Sequence, residues 1–316
     1  MNSLSIDPEL GAIIGGVVFL LFIASAIGYV LAQRAQGEKS KAVIDNLNAR
    51  IRAWWLMVLF FGVAVLSGGT GSIILFTLIS FLALREFITL TPTSRGDHRA
   101  LFWAFFIITP VHYFLIWINW YGLFSILIPV YAALVMPIRN ATTGDTKDFL
   151  ARTAKVQWAL MVCVYFVSYA PALLTLKIPG YEGQNAKLLL FLVIVVQMSD
   201  VLQYVWGKLT GKRKIVPKLS PNKTVEGFFG GVISASLLGG ALCWITPFNF
   251  WQATVLAFLI CLMGFFGGLV MSGIKRDRNI KDFGNLIQGH GGILDRIDSI
   301  CFSAPLFFHL VRYYFT

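Results

Sequence analysis

An all-α integral membrane protein with about ten spanning helices is the architecture this chain predicts, and three observations predict it. Hydrophobic residues fill 57% of its 316 positions and charged residues only 13%, against about 45–50% and about 25% in soluble domains. Apolar runs close to the roughly 20 residues that a bilayer crossing needs recur along the whole length. The basic residues are segregated, with alternate loops collecting 23 of the 26 Lys and Arg. A soluble globule has no interior able to hide so much apolar surface. A chain with 27 Phe and so little charge is also the reverse of a disordered one.

The spans are expected at 11–32, 53–67, 71–84, 101–118, 121–137, 156–176, 188–207, 227–246, 250–271 and 299–315. The second and third are short and meet at Gly68-Gly69-Thr70-Gly71, which implies a tight hairpin or slightly longer, tilted helices. Between the first two spans, Val43, Leu47 and Ile51 recur every four residues among polar ones, and Trp54 and Trp55 follow. That pattern predicts one cytoplasmic amphipathic helix, at about 39–52, lying on the membrane surface. The chain divides into a membrane region over 1–176, with helices one to six and this interfacial helix, and a catalytic membrane region over 177–316, with helices seven to ten.

Lys and Arg mark the cytoplasmic side of membrane proteins. Only Lys177, Lys187 and Arg312 fall on the opposite side. Both termini should therefore face away from the cytoplasm. The expected setting is a bacterial inner membrane, with the active site on the cytoplasmic face. The net charge of +11 is thus a topology signal, and a nucleic-acid partner is not expected. Cys163, Cys243, Cys261 and Cys301 each lie in an apolar run without metal-ligand or disulfide spacing, so they read as buried thiols.

Six of the fifteen acidic residues cluster late on the cytoplasmic side: Asp200, Glu226, Asp277, Asp282, Asp295 and Asp298. Loops 208–226 and 274–298 add many Lys and Arg. Carboxylates can hold divalent metal, and Lys and Arg can hold phosphate oxygens. Asp200 sits inside the seventh apolar run, where a carboxylate is costly and marks function by default. Asp295 and Asp298 are three residues apart, on one face of a helical turn. The glycines around His290 allow backbone amides to approach phosphate. Arg85-Glu86, at the end of the third run, reads as a local ion pair closing the cytoplasmic end, with the lining of a lipid-headgroup entry as the alternative.

Two stretches carry a resemblance. One is Ser272-Gly273-Ile274-Lys275-Arg276, then Lys281-Asp282, then Gly289-His290-Gly291-Gly292-Ile293-Leu294-Asp295-Arg296-Ile297-Asp298. The other is Ser199-Asp200, Tyr204, Trp206-Gly207-Lys208, Gly211-Lys212, Pro217-Lys218, Ser220-Pro221-Asn222-Lys223-Thr224 and Glu226-Gly227-Phe228. Together they cover about a fifth of the chain, and they resemble the phosphatidate cytidylyltransferases (CDP-diacylglycerol synthases). The resemblance implies cytidylyl transfer from CTP to phosphatidate, with Mg²⁺ as cofactor and membrane lipids and a homodimeric copy as partners. It implies a catalytic set of Asp295, Asp298, Lys275, Arg276 and His290. Substrate would be bound by Lys208, Lys218, Ser220, Lys223, Glu226, Lys281, Asp282, Gly291, Gly292 and Arg296. Metal would be held by Asp200, Ser272, Asp295 and Asp298.

The chain departs from that family's pattern at two acidic positions before the serine, where Gly268 and Met271 stand. The first departure bears on whether a second cation, monovalent or divalent, is bound. A divergent member is therefore expected. Its acceptor could instead be another lipid phosphate or a polyprenol, or it could be a non-catalytic member acting as transporter or scaffold.

Overall fold

The computed structural model describes residues 8–34, 37–91, 95–287 and 291–316. Among them the chain forms α1 Pro8–Arg34, α2 Glu38–Leu66 and α3 Gly68–Thr89. There follow α4 His98–Trp117, α5 Tyr121–Ala141 and α6 Phe149–Thr175. The chain ends with α7 Ala186–Leu209, α8 Val225–Ala241, α9 Phe250–Asp277 and α10 Leu294–Phe315. Among the described residues eight helices are long and apolar enough to cross a membrane, and α8 is a shorter apolar helix. The last, α10, is 22 residues long but carries Asp295, Arg296, Asp298 and Arg312. Large apolar side chains such as Phe19, Phe60, Leu134 and Trp251 are exposed on the outside of the bundle, as a lipid-facing surface requires. The chain is an all-α integral membrane protein.

The stretch 39–52 is helical, but it is the first half of α2 and not a separate interfacial helix. It stands antiparallel to α1: Trp55 Nε1 donates to Ser25 Oγ at 3.0 Å, and the Asn48 amide reaches Gly28 O at 3.5 Å. Ile51 packs against Gly28, so part of the four-residue stripe meets a helix where a lipid surface was expected. At 29 residues α2 is about 44 Å long, more than the ~30 Å hydrocarbon core, so its polar start projects beyond it. The break before α3 falls at Ser67 and Gly68, whose φ of 77° is open to glycine at little cost.

Three helices contain wide π turns, at Ala104–Ile108, Leu127–Ala132 and Met161–Phe166. The first precedes Pro110 and the second contains Pro129. Proline lacks the N–H that would satisfy a carbonyl one turn back, so the ladder re-forms locally. Thr109 Oγ1 donates to Ala104 O at 2.8 Å, taking part of that demand. Buried polar pairs then tie α3, α4 and α6 together: Ser80 Oγ with Tyr113 OH at 2.6 Å, and His112 Nε2 with Ser168 Oγ at 2.9 Å. Helices α7 to α10 pack in sequence, with α10 also against α6. This leaves loops 210–224 and 278–293, where described, over the ends of α7, α9 and α10.

Candidate active site

The loop from 210 to 224 folds back on α7 and α8. Ile215 N donates to Lys223 O at 3.2 Å and Val225 N to Arg213 O at 2.9 Å, which closes a narrow antiparallel turn. Thr224 caps α8 by accepting from Gly227 N at 3.1 Å. Glu226 accepts from Lys212 N at 3.0 Å and from Arg213 N at 3.2 Å. Gly227 is required by space: a Cβ there would stand 2.8 Å from Gln203 O and 3.0 Å from Gly207 Cα. Much of this stretch is thus architecture that delivers one side chain, Lys223. Its ammonium lies 4.5 Å from the centre of the Phe265 ring and donates to Phe265 O at 3.4 Å.

Helix α9 presents Phe265, Gly268, Ser272 and Lys275 on one face, toward the first turns of α10. The two helices approach closely through small residues. A Cβ at Gly264 would lie 3.1 Å from Ser303 Oγ, and one at Gly267 would lie 2.9 Å from Asp298 O. A Cβ at Gly268 would lie 2.9 Å from Lys223 Nζ and 3.9 Å from Ser299 Oγ. Position 268 therefore faces the charged cluster, and the lysine ammonium lies against it. Met271 is fully buried, so the second departure is a core position.

Asp295 is buried and fully engaged. Its Oδ1 accepts from Lys275 Nζ at 2.9 Å. Its Oδ2 accepts from Phe283 N at 2.8 Å and Gly292 N at 3.0 Å. The carboxylate closes the loop between α9 and α10 and holds Lys275 over Phe283, whose ring centre lies 5.4 Å from Nζ. Gly291, with φ 82°, makes the return turn and brings its carbonyl to Ile287 N at 2.9 Å. Glu86 of α3 completes the lock. It accepts from Ile293 N and Leu294 N, both at 2.9 Å, at the start of α10. This replaces the expected Arg85–Glu86 pair: a carboxylate at a helix N-terminus satisfies orphan amides and complements the dipole.

One turn further, the geometry is open. Ser299 Oγ donates to Asp200 Oδ2 at 3.0 Å and stands 3.5 Å from Asp298 Oδ1, which also accepts Ser299 N at 2.8 Å. Two carboxylates from α7 and α10 thus share one hydroxyl, and the other oxygen of each accepts no hydrogen bond among the described residues. Asp200 is exposed as a residue and Asp298 is half-buried. Burial pushes the Lys223 ammonium below the ordinary lysine range; Asp200 and Asp298 pull it back, while Lys275 adds to the lowering. The Nε of Arg296 is buried and has no hydrogen-bond partner among the described residues. Among the described residues no three His, Cys, Asp or Glu side chains gather as a ready-made cation cage. The donor set nonetheless fits Mg²⁺, which is usually held by one or two carboxylates and completed by substrate phosphates and water.

Comparison with known proteins gives the chain a family. The family model described as the cytidylyltransferase family matches residues 48–314. The chain belongs to the cytidylyltransferase family. It is 41% identical over 297 residues to an uncharacterized protein, YnbB, of Escherichia coli strain K12, covering 93% of this chain and 95% of that one. It is 31% identical over 204 residues to the phosphatidate cytidylyltransferase of Staphylococcus haemolyticus, covering 58% of this chain and 76% of that enzyme. It is 42% identical over 130 residues to the phosphatidate cytidylyltransferase of Staphylococcus saprophyticus, covering 40% of this chain but only half the length of that enzyme.

In this cytidylyltransferase the structure brings together Asp200, Lys223, Lys275, Asp295, Arg296 and Asp298, with Ser272 one turn from Gly268, whose carbonyl its hydroxyl bonds at 2.7 Å. Other expected residues act differently. Arg276 donates to Leu219 O at 3.2 Å and Ile280 O at 3.0 Å, joining two loops. Glu226 and Gly292 spend their groups on the backbone turns given above. Lys208 lies over Tyr204, and Lys218, Lys281 and Asp282 are exposed on the rim. Ser220 is half-buried in the turn where its N–H bonds Val216 O at 2.9 Å. His290 lies outside the described residues. The sequence reading missed Ser299 and the reach of Glu86. A serine beside an aspartate carries no signal of its own, and Glu86 has its partners more than 200 positions away.

Proposed function

We propose that this chain transfers the cytidylyl group of CTP to phosphatidate, giving CDP-diacylglycerol and pyrophosphate at the cytoplasmic face of a bacterial inner membrane. The observation that carries this reading is the open Asp200–Ser299–Asp298 cluster beside three cations, Lys223, Lys275 and Arg296, at the ends of membrane helices. An oxygen of the lipid phosphate attacks the α-phosphorus of CTP, and the bond from that phosphorus to the β-phosphate bridging oxygen breaks. A phosphate monoester is largely ionised near neutral pH, with a second pKa of about 6, so a strong base is unnecessary. The work is to place two polyanions in line and to neutralise charge on the departing pyrophosphate.

Lys223 and Arg296 are suited to hold phosphate oxygens because neither head group is saturated by the protein. Asp295 keeps Lys275 aimed at the same cleft. Asp200 and Asp298 would hold Mg²⁺, with Ser299 orienting both, and a second cation has no further carboxylate at 268 to hold it. When bound, Mg²⁺ supplies neutralisation of phosphate charge. The test is CDP-lipid formation by purified protein from CTP and phosphatidate, with Mg²⁺ titrated. Product that depends on both supports the proposal. The glycine at 268 favours one second reading, a different lipid phosphate or polyprenol acceptor. Product with such an acceptor and none with phosphatidate would replace the first reading.

A further inference from the structure

At the other end of α10 the chain has a second polar pocket. Asp298 and Arg312 are 14 residues apart on this helix, about 21 Å along its axis, so the two sites lie toward opposite membrane faces. A cavity of about 360 Å³ opens here between the ends of α4, α5, α6 and α10. Its floor is apolar, with Leu115, Ile116, Phe124 and Phe308. Its rim carries Asn119, Thr175, Lys177 and Arg312.

Three basic residues stand at this end of the bundle. Lys187 is buried and paired with Glu9. The other two, Lys177 and Arg312, line the same cavity. Among the described residues neither has a carboxylate within ion-pair distance or donates a side-chain hydrogen bond. Arg312 is also held: its guanidinium carbon lies 3.7 Å from the centre of the Tyr121 ring, and Tyr121 stacks on Phe308 with ring centres 6.0 Å apart. Stacking fixes the plane of a guanidinium while leaving its N–H groups unspent. Two cations with no ion-pair partner among the described residues, over an apolar floor and with Thr316 beside them in the lining, match an amphiphilic anion, and a stacked guanidinium that spends no N–H among the described residues matches phosphate.

We infer that this cavity binds the phosphate group of an anionic phospholipid from the leaflet opposite the cytidylyltransferase site. The site is separate from catalysis, so its test needs no turnover. Thermal stabilisation of the purified full chain in neutral detergent is titrated with dihexanoyl phosphatidylglycerol, dihexanoyl phosphatidylcholine or inorganic phosphate. The proteins compared are wild type, Lys177→Gln with Arg312→Gln, Arg312→Lys, and Lys147→Gln as an exposed control at the other face. Wild type and the control should be stabilised by the glycerol lipid and not by the choline lipid. The double variant should need at least about tenfold more of it, the loss of one or two charge-assisted contacts. Arg312→Lys, which keeps charge without the planar fork, should fall between. Stabilisation by inorganic phosphate at similar concentrations, lost in the double variant, keeps the pocket and makes its ligand a free anion. Equal response of wild type and a double variant that melts normally, or equal response to both lipids, overturns the inference.

Discussion

Asp295 and Asp298 lie one helical turn apart, yet their surroundings are opposites. Around Asp295 every oxygen is used: Lys275 takes one and two backbone amides take the other. Around Asp298 the protein supplies one serine and leaves a carboxylate facing Asp200 unfilled. The difference separates two jobs that a shared spacing hides. The first carboxylate fixes the loop and its lysine. The second has an oxygen that accepts no hydrogen bond among the described residues, and the proposed function gives it to a cation. A site built in this way keeps its rigid half and its reactive half on the same turn, so a small error in the first is felt directly in the second.

The comparison can be broken most sharply at Asp298. Asp298→Asn should lower CDP-lipid turnover by about 10²–10³, the scale of one preorganised electrostatic contact. Its melting temperature should stay close to that of wild type, because the lost charge stands beside Asp200 and has no ion-pair partner among the described residues. Asp295→Asn should behave in the other order. Breaking a buried ion pair costs about 3–5 kcal/mol, so chemical or thermal denaturation in detergent should show a large loss of stability. Equal stability of the two variants would remove the distinction.

Glu86 extends the rigid half into the N-terminal region. Glu86→Ala leaves two amides at the start of α10 unpaired, at about 1–3 kcal/mol each, and Glu86→Gln should recover part of that loss. Proteolysis of the α9–α10 loop checks both. The smallest effect is expected at Gly268. Gly268→Asp would set a carboxylate against the Lys223 ammonium, which lies 2.9 Å from the Cβ position. KM for CTP should rise several-fold while kcat changes less; a KM left unchanged in a folded variant would mean that Lys223 does not meet the nucleotide.

The spans were legible because a bilayer crossing writes itself as length and apolarity, and the loop charges gave the alternation. The start of α2 was not, because a polar helix half reads the same whether it lies on lipid or stands against α1. The π turns in α4, α5 and α6 depend on shifts in the hydrogen-bond ladder that only Pro110 and Pro129 hint at. In the site, the motif named most of the groups that converge. It did not separate the residues that shape the turns, such as Glu226 and Arg276, from those with donors to spare among the described residues, such as Lys223 and Arg296. Nor could spacing say which aspartate was spent, since that depends on where residues 283 and 292 return.

The division between the two aspartates is tested most directly by Mn²⁺ binding, read by electron paramagnetic resonance on purified protein with a non-hydrolysable CTP analogue. Asp295→Asn should retain a bound Mn²⁺ signal under conditions where it is still folded, and Asp298→Asn should lose it. Retention of the signal in Asp298→Asn together with its loss in a folded Asp295→Asn would contradict the account.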